Sequence, residues 1–230
     1  KTKLEEFLKK WFNNYINEIL GDLINLTNLK VENQYLRALV FQLYEKNGVI
    51  KRKEIDNIVK LIPSDERKKL RKMGIKIGRY HIYLPKMLKP KAVEFRVSLW
   101  KIFYDLDDKY EIPKFGLNFL VNKNYEQKFL LLCGFEKFKD YFVRIDILEK
   151  LFIKILDSTK DRKFTINAEM MNLLGCTKEN FYKLMTYMDY RKDKTADTYI
   201  FKGEKKKSGK PLRIDKKENP FKKLLSLDLK

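Results

Sequence analysis

Few residues in this chain have the type and company that chemistry needs. His81 is the only histidine, and no acidic or cysteine neighbour stands close to it in sequence, so it reads as a packed or surface residue rather than a catalyst. Cys133 and Cys176 are far apart, form no CxxC pair and share only His81 as a companion. Neither a zinc site nor a disulfide framework follows, and both read as small apolar residues in a reducing cytoplasm. Asp105, Asp107, Asp108 and Glu111 could hold a divalent ion, but they lack the glycine and oxygen spacing of a calcium loop and read better as a helix end. No GxxxxGK[ST], GxSxG or HExxH motif occurs, so the chain carries no recognisable catalytic signature and whether it is an enzyme stays open.

Charge is the stronger signal. The chain has 51 Lys and Arg against 31 Asp and Glu, a formal net charge of +20 in 230 residues. Clustered cations displace counterions from a phosphate backbone, which makes RNA or DNA the expected partner and an anionic membrane surface the competitor. Two clusters stand out. Between Pro63 and Trp100, 11 basic residues face 3 acidic ones, and Arg71, Lys72, Lys76, Arg79, Tyr80, Lys86 and Lys89 are the expected contacts, with Gly74 and Gly78 letting backbone amides approach phosphate. Further on, Lys178, Tyr182, Lys183 and Tyr187 fall on the outward face of a helix, followed by Arg191, Lys192 and Lys194, a mixture suited to phosphate contact and base stacking. For both clusters the plain alternative is a solvated basic face beside a turn or on an ordinary bundle.

These residues need elements to hold them. With 44% hydrophobic residues, the chain is long enough for a true core, and its 36% charged residues must coat the outside. Leu4, Phe7, Leu8, Trp11, Tyr15, Ile19, Leu20 and Leu23 recur at three- and four-residue steps on one stripe of a long opening helix. Helices follow over about 34–46 and 52–61, then one capped by Ser64 and ended by Gly74. Ile75 to Leu84 reads as extended chain with a turn at Gly78-Arg79, and Pro90 opens a helix that turns Val93, Val97, Trp100, Ile102 and Phe103 inward. Residues 109–124 read as a connector broken by Pro113 and Gly116.

After a short helix near Tyr125 to Leu132 comes a strand over Tyr141, Val143 and Ile145, and Asp146 with Glu149 makes a capping-box-like start to a helix. Phe164-Thr165-Ile166, a helix capped by Asn167 and ended by Gly175, a helix capped by Thr177, and two β-prone runs complete the order of a winged helix. The predicted fold is mainly α: a helical bundle over 1–108, a connector, a smaller winged-helix-like unit over 125–202, and a basic flexible tail over 203–230. Phe12 to Leu29 is interrupted by polar residues and predicts no membrane span. The first residue is Lys1 rather than Met, which predicts a piece of a longer protein.

The run Arg71-Lys72-Met73-Gly74-Ile75-Lys76-Ile77-Gly78-Arg79-Tyr80-His81-Ile82-Tyr83-Leu84-Pro85-Lys86-Met87-Leu88-Lys89-Pro90 resembles a block in the C-terminal, non-motor region of alphaproteobacterial superfamily-two helicases related to the mitochondrial degradosome RNA helicase. The opening helix with Trp11 and Asn14, Arg37 to Leu43, Gly48 to Arg52, Val143 to Glu149 and Asn219 to Leu224 resemble the same family in the same order. The resemblance implies a region that grips the strand while RecA-like motor domains of the same parent chain unwind RNA or a hybrid. ATP and Mg would belong to that missing motor, and no cofactor is expected in this chain. Two rival readings remain: a scaffold that docks a ribonuclease or another helicase partner, and a free-standing winged-helix regulator that binds DNA.

Overall fold

The computed structural model describes residues 2–29, 32–106, 110–121, 126–193 and 198–201. Asp107, Asp108, Lys194 and the expected tail over 203–230 lie outside them. The first unit begins with α1 (Thr2–Asn25), α2 (Gln34–Glu45), β1 (Val49–Lys51), α3 (Arg52–Leu61) and α4 (Ser64–Lys72). A hairpin of β2 (Lys76–Ile77) and β3 (His81–Tyr83) follows, turning at Gly78-Arg79 as the apolar alternation requires. The strands form an antiparallel sheet in the order β1-β3-β2. Asn33 caps α2 by accepting from the amides of Tyr35 and Leu36, whereas Ser64 makes no cap and Pro63 occupies that position.

The core of this unit gathers Leu39, Leu43, Ile55, Leu70, Ile75, Ile82 and Leu84 with the last turns of α1. Only Ile19, Leu20 and Leu23 of α1 are buried. The rest of the predicted inward stripe is uncovered: Leu4 is 64% exposed, Phe7 65% and Trp11 54%. Helical period fixes which residues share a face; it does not say that a neighbour covers that face along its whole length.

A 3-10 turn (Pro85–Leu88) leads into α5 (Pro90–Phe103), with Pro90 in its first turn. Val93 and Val97 point inward, Trp100 packs on Tyr110 and Phe129, but Ile102 and Phe103 face outward, contrary to the periodic reading. Arg96, 3% exposed, has no carboxylate beside it among the described residues and donates instead to the carbonyls of Asn47, Met87, Ala92 and Leu132. Burial pushes its guanidinium down to about 10.

Part of the predicted connector is structured. β4 (Phe119–Val121) pairs with β6 (Tyr141–Arg144), which also pairs with β5 (Phe135–Phe138), after α6 (Gln127–Leu132). Phe129, Leu130, Phe135 and Phe142 pack with α5 in a layer of their own. The chain continues through α7 (Ile145–Ser158), β7 (Lys163–Phe164), α8 (Ala168–Leu174), α9 (Lys178–Tyr187), β8 (Tyr190–Lys192) and β9 (Tyr199–Phe201), whose strands form a sheet in the order β7-β9-β8. Asn167 and Thr177 cap their helices, and Gly175 ends α8 in the left-handed conformation at φ 66°. Phe164, Phe181, Leu184 and Met185 fill the core behind α7. The molecule is therefore mainly helical with small three-stranded antiparallel sheets, and no described helix is long and apolar enough to cross a membrane.

Candidate nucleic-acid interface

The glycine turn expected to receive phosphate receives a carboxylate of the chain itself. Glu149, on α7, accepts hydrogen bonds from the backbone amides of Arg79 (2.6 Å), Tyr80 (2.8 Å) and His81 (2.9 Å). Successive amides in a turn make a concave anion site, and here that site is filled. A Cβ on Gly78 would lie 2.3 Å from the Glu149 carboxyl carbon, so glycine is required there for the approach of this side chain. Glu149 is thus not the capping-box partner that its spacing suggests; Asp146 is likewise diverted, to a two-point ion pair with Arg144. Gly74, at φ 82°, serves the end of α4, and its amide bonds to the Arg71 carbonyl.

His81 completes this joint. It is 1% exposed, and its Nε2 lies 2.7 Å from Glu136 Oε2, while Nδ1 lies 3.7 Å from Glu149, close enough for charge attraction but not for a hydrogen bond. Lys51 reaches the other oxygen of Glu136 at 2.5 Å. Four side chains from β1, β3, β5 and α7 thereby alternate in charge when His81 is protonated. Burial alone would lower the His81 pKa, but the hydrogen bond to Glu136 and the charges of both carboxylates outweigh it and hold it above the usual imidazole value. The Glu136 carboxyl is held low despite burial by His81 and Lys51.

A sign follows for stability. A folded-state pKa raised above the unfolded value of about 6.5 contributes stability fully below that pH, and the contribution disappears as pH rises through the folded-state value. The urea midpoint is expected to fall as pH is raised from 6 across that window. His81→Gln should flatten this part of the profile; an unchanged profile in that variant would show that His81 does not titrate in the joint.

The predicted contact residues separate into three groups. Lys76, Arg79 and Lys89 are exposed and line a cleft of about 800 Å³ between the first hairpin, the start of α5, the 112–117 segment and α7. Lys114 and Lys150 line it too, which no local pattern revealed because they belong to distant segments. Among the described residues, Lys76, Lys89, Lys114 and Lys150 have no carboxylate within ion-pair distance, while the cleft's two acids, Asp146 and Glu149, are occupied as described. Arg79 lies over the rings of Phe152 and Phe201, each 5.8 Å from centroid. A second, shallower groove shares Lys76 with the first and carries the basic surface on to Arg71 and Lys86, although Lys86 is paired with Asp22. Lys72 is exposed on α4.

The second group, on α9 and β8, is less free. Lys183 pairs with Glu179, Lys178 lies over the Tyr182 ring at 5.7 Å, and Arg191 and Lys192 are exposed. The third group comprises the tyrosines reserved for base stacking, which are engaged inside the protein. Tyr80 meets Phe138 and Phe152 edge-on, and burial drives its phenol pKa far up. Tyr182 stacks on Tyr199 at 6.1 Å, and Tyr187 packs on Tyr141 with Lys139 4.3 Å over its ring. Stacking on a base would require each to leave these contacts. Burial pushes the thiol of Cys133 up to about 12 and that of Cys176 up to about 11, far from a nucleophile's range. No cluster of His, Cys, Asp and Glu able to hold a metal occurs among the described residues.

No family model matches the chain, and neither a curated protein nor a solved structure matches it.

Proposed function

We propose that the chain is a nucleic-acid-binding module that grips phosphate backbone, and that the unit from α7 to β9 is a winged helix. The order of its elements and the β7-β9-β8 sheet support the second point. The observation that carries the first is the cleft in which Lys76, Arg79, Lys89, Lys114 and Lys150 converge while its carboxylates are consumed by other partners. Unpaired cations in a concave wall raise the local potential and attract a polyanion. The tyrosine contacts weigh against base stacking, so the grip is Coulombic and indifferent to sequence.

Attachment of this module to a helicase motor rests on the residues that resemble that family. Several have structural duties of their own, notably Gly78 against Glu149 and Pro90 at the start of α5. Nucleic-acid affinity is expected to fall steeply with salt. If the five cleft cations that have no carboxylate partner among the described residues each neutralise one phosphate, log K against log salt has a slope of about −4. An isotherm with equal affinity at low and physiological salt would contradict the reading.

A further inference from the structure

One order of elements occurs twice. Helix, strand, helix, helix, strand, strand describes α2-β1-α3-α4-β2-β3 and again α7-β7-α8-α9-β8-β9. In each set the last strand takes the middle of an antiparallel sheet, giving β1-β3-β2 and β7-β9-β8. No sequence repeat announces this, because the period of burial, rather than residue identity, sets such a topology. The counterpart of α9 is therefore α4.

Both third helices present cations outward. On α4, Leu70 is buried while Lys68, Arg71 and Lys72 are exposed and have no carboxylate partner among the described residues. On α9, Phe181, Leu184 and Met185 face the core, and Lys178, Lys183 and Thr186 are exposed. With 9 and 10 residues, the two helices are about 14 Å long, close to the width of a duplex major groove. A single strand would instead call for open aromatic faces, and the tyrosines near α9 are packed against other rings.

The two copies are not free of one another. The first copy's hairpin turn is held on α7 by three amide bonds to Glu149, and Tyr80 packs edge-on against Phe152 of the same helix. We infer that α4 and α9 are equivalent docking helices, held at one fixed separation, which contact the same double-stranded nucleic acid at two places. This rests on the proposed grip of phosphate and adds to it the duplex and the paired geometry.

The test measures affinity for a series of DNA duplexes from 8 to about 40 base pairs, with single strands of matching length, for the whole chain. The unmodified protein is expected to bind long duplexes at least ~10-fold more tightly than single strands, with a step in affinity once one duplex reaches both helices. Lys68→Glu/Arg71→Glu/Lys72→Glu on α4 and Lys178→Glu/Lys183→Glu on α9 should each abolish the step. All five positions are exposed, so the melting temperature serves as the control for folding. A smooth rise of affinity with length, a step that survives in the α4 variant, or tighter binding to single strands would overturn the inference while leaving the phosphate grip intact. Absence of binding to every probe would overturn both.

Discussion

Replacing Glu149 with leucine is expected to lower the unfolding free energy by about 4 kcal/mol. The substitution strands three amides, the buried one of His81 and the part-buried ones of Arg79 and Tyr80, at a cost of about 1–3 kcal/mol each at full burial and less where water can reach. It also leaves His81 with Glu136 as its one carboxylate partner among the described residues. Glu149→Gln keeps one accepting oxygen and should lose roughly half as much, because charge-assisted bonds are about twice as strong as neutral ones. Gly78→Ala attacks the same joint from the other side, since its methyl group would stand 2.3 Å from the Glu149 carboxyl carbon. Gly21→Ala provides the contrast: nothing lies within 4 Å of an added Cβ there, and a helical alanine should add about 0.5–1 kcal/mol. Urea unfolding gives these values, and amide exchange at Arg79 to His81 should accelerate in the Glu149 variants. Unfolding within ~0.5 kcal/mol of the unmodified protein in both Glu149→Leu and Gly78→Ala would show that the two units are joined elsewhere.

The second large effect concerns binding. Lys76→Glu, Lys89→Glu and Lys150→Glu together are expected to weaken nucleic-acid affinity by roughly 100-fold or more at physiological salt. Each position is exposed and, among the described residues, without a carboxylate partner, so each reversal removes an attraction and adds a repulsion without breaking an internal pair. Stability should change by less than ~0.5 kcal/mol per site, which separates lost contact from lost fold. A double reversal at Lys60 and Lys154 is the control. Both are already paired, with Asp56 and Glu169 respectively, and neither lines the cleft or lies on α4 or α9.

What local pattern can carry was legible in the sequence. The helix over 52–61, the caps at Asn167 and Thr177, and the turn at Gly78-Arg79 all come from neighbours within a few residues. What joins distant segments was not legible. His81 meets Glu136 across 55 positions and Glu149 meets Tyr80 across 69, so the single histidine looked isolated and Glu149 looked like a helix cap. β4 has no local signal, because Phe119 to Val121 gains its strand character from pairing with β6, beyond a proline and a glycine that break any period. The candidate site divides along the same line. Lys76, Arg79 and Lys89 were visible as a dense local run, whereas Lys114 and Lys150 join them only through tertiary structure. Tyr80, Tyr182 and Tyr187 stand beside basic residues in the sequence, but their rings pack against the second core.

The central claim is that the cleft's unpaired cations touch phosphate. It is tested most directly by the salt dependence of binding to one fixed nucleic-acid probe, measured for the unmodified protein and for the Lys76, Lys89 and Lys150 triple reversal side by side. Three lost phosphate contacts predict that the slope of log K against log salt becomes shallower by about 2–3 in the variant. Parallel lines of equal slope would contradict the claim, because they would place the phosphate contacts outside the cleft.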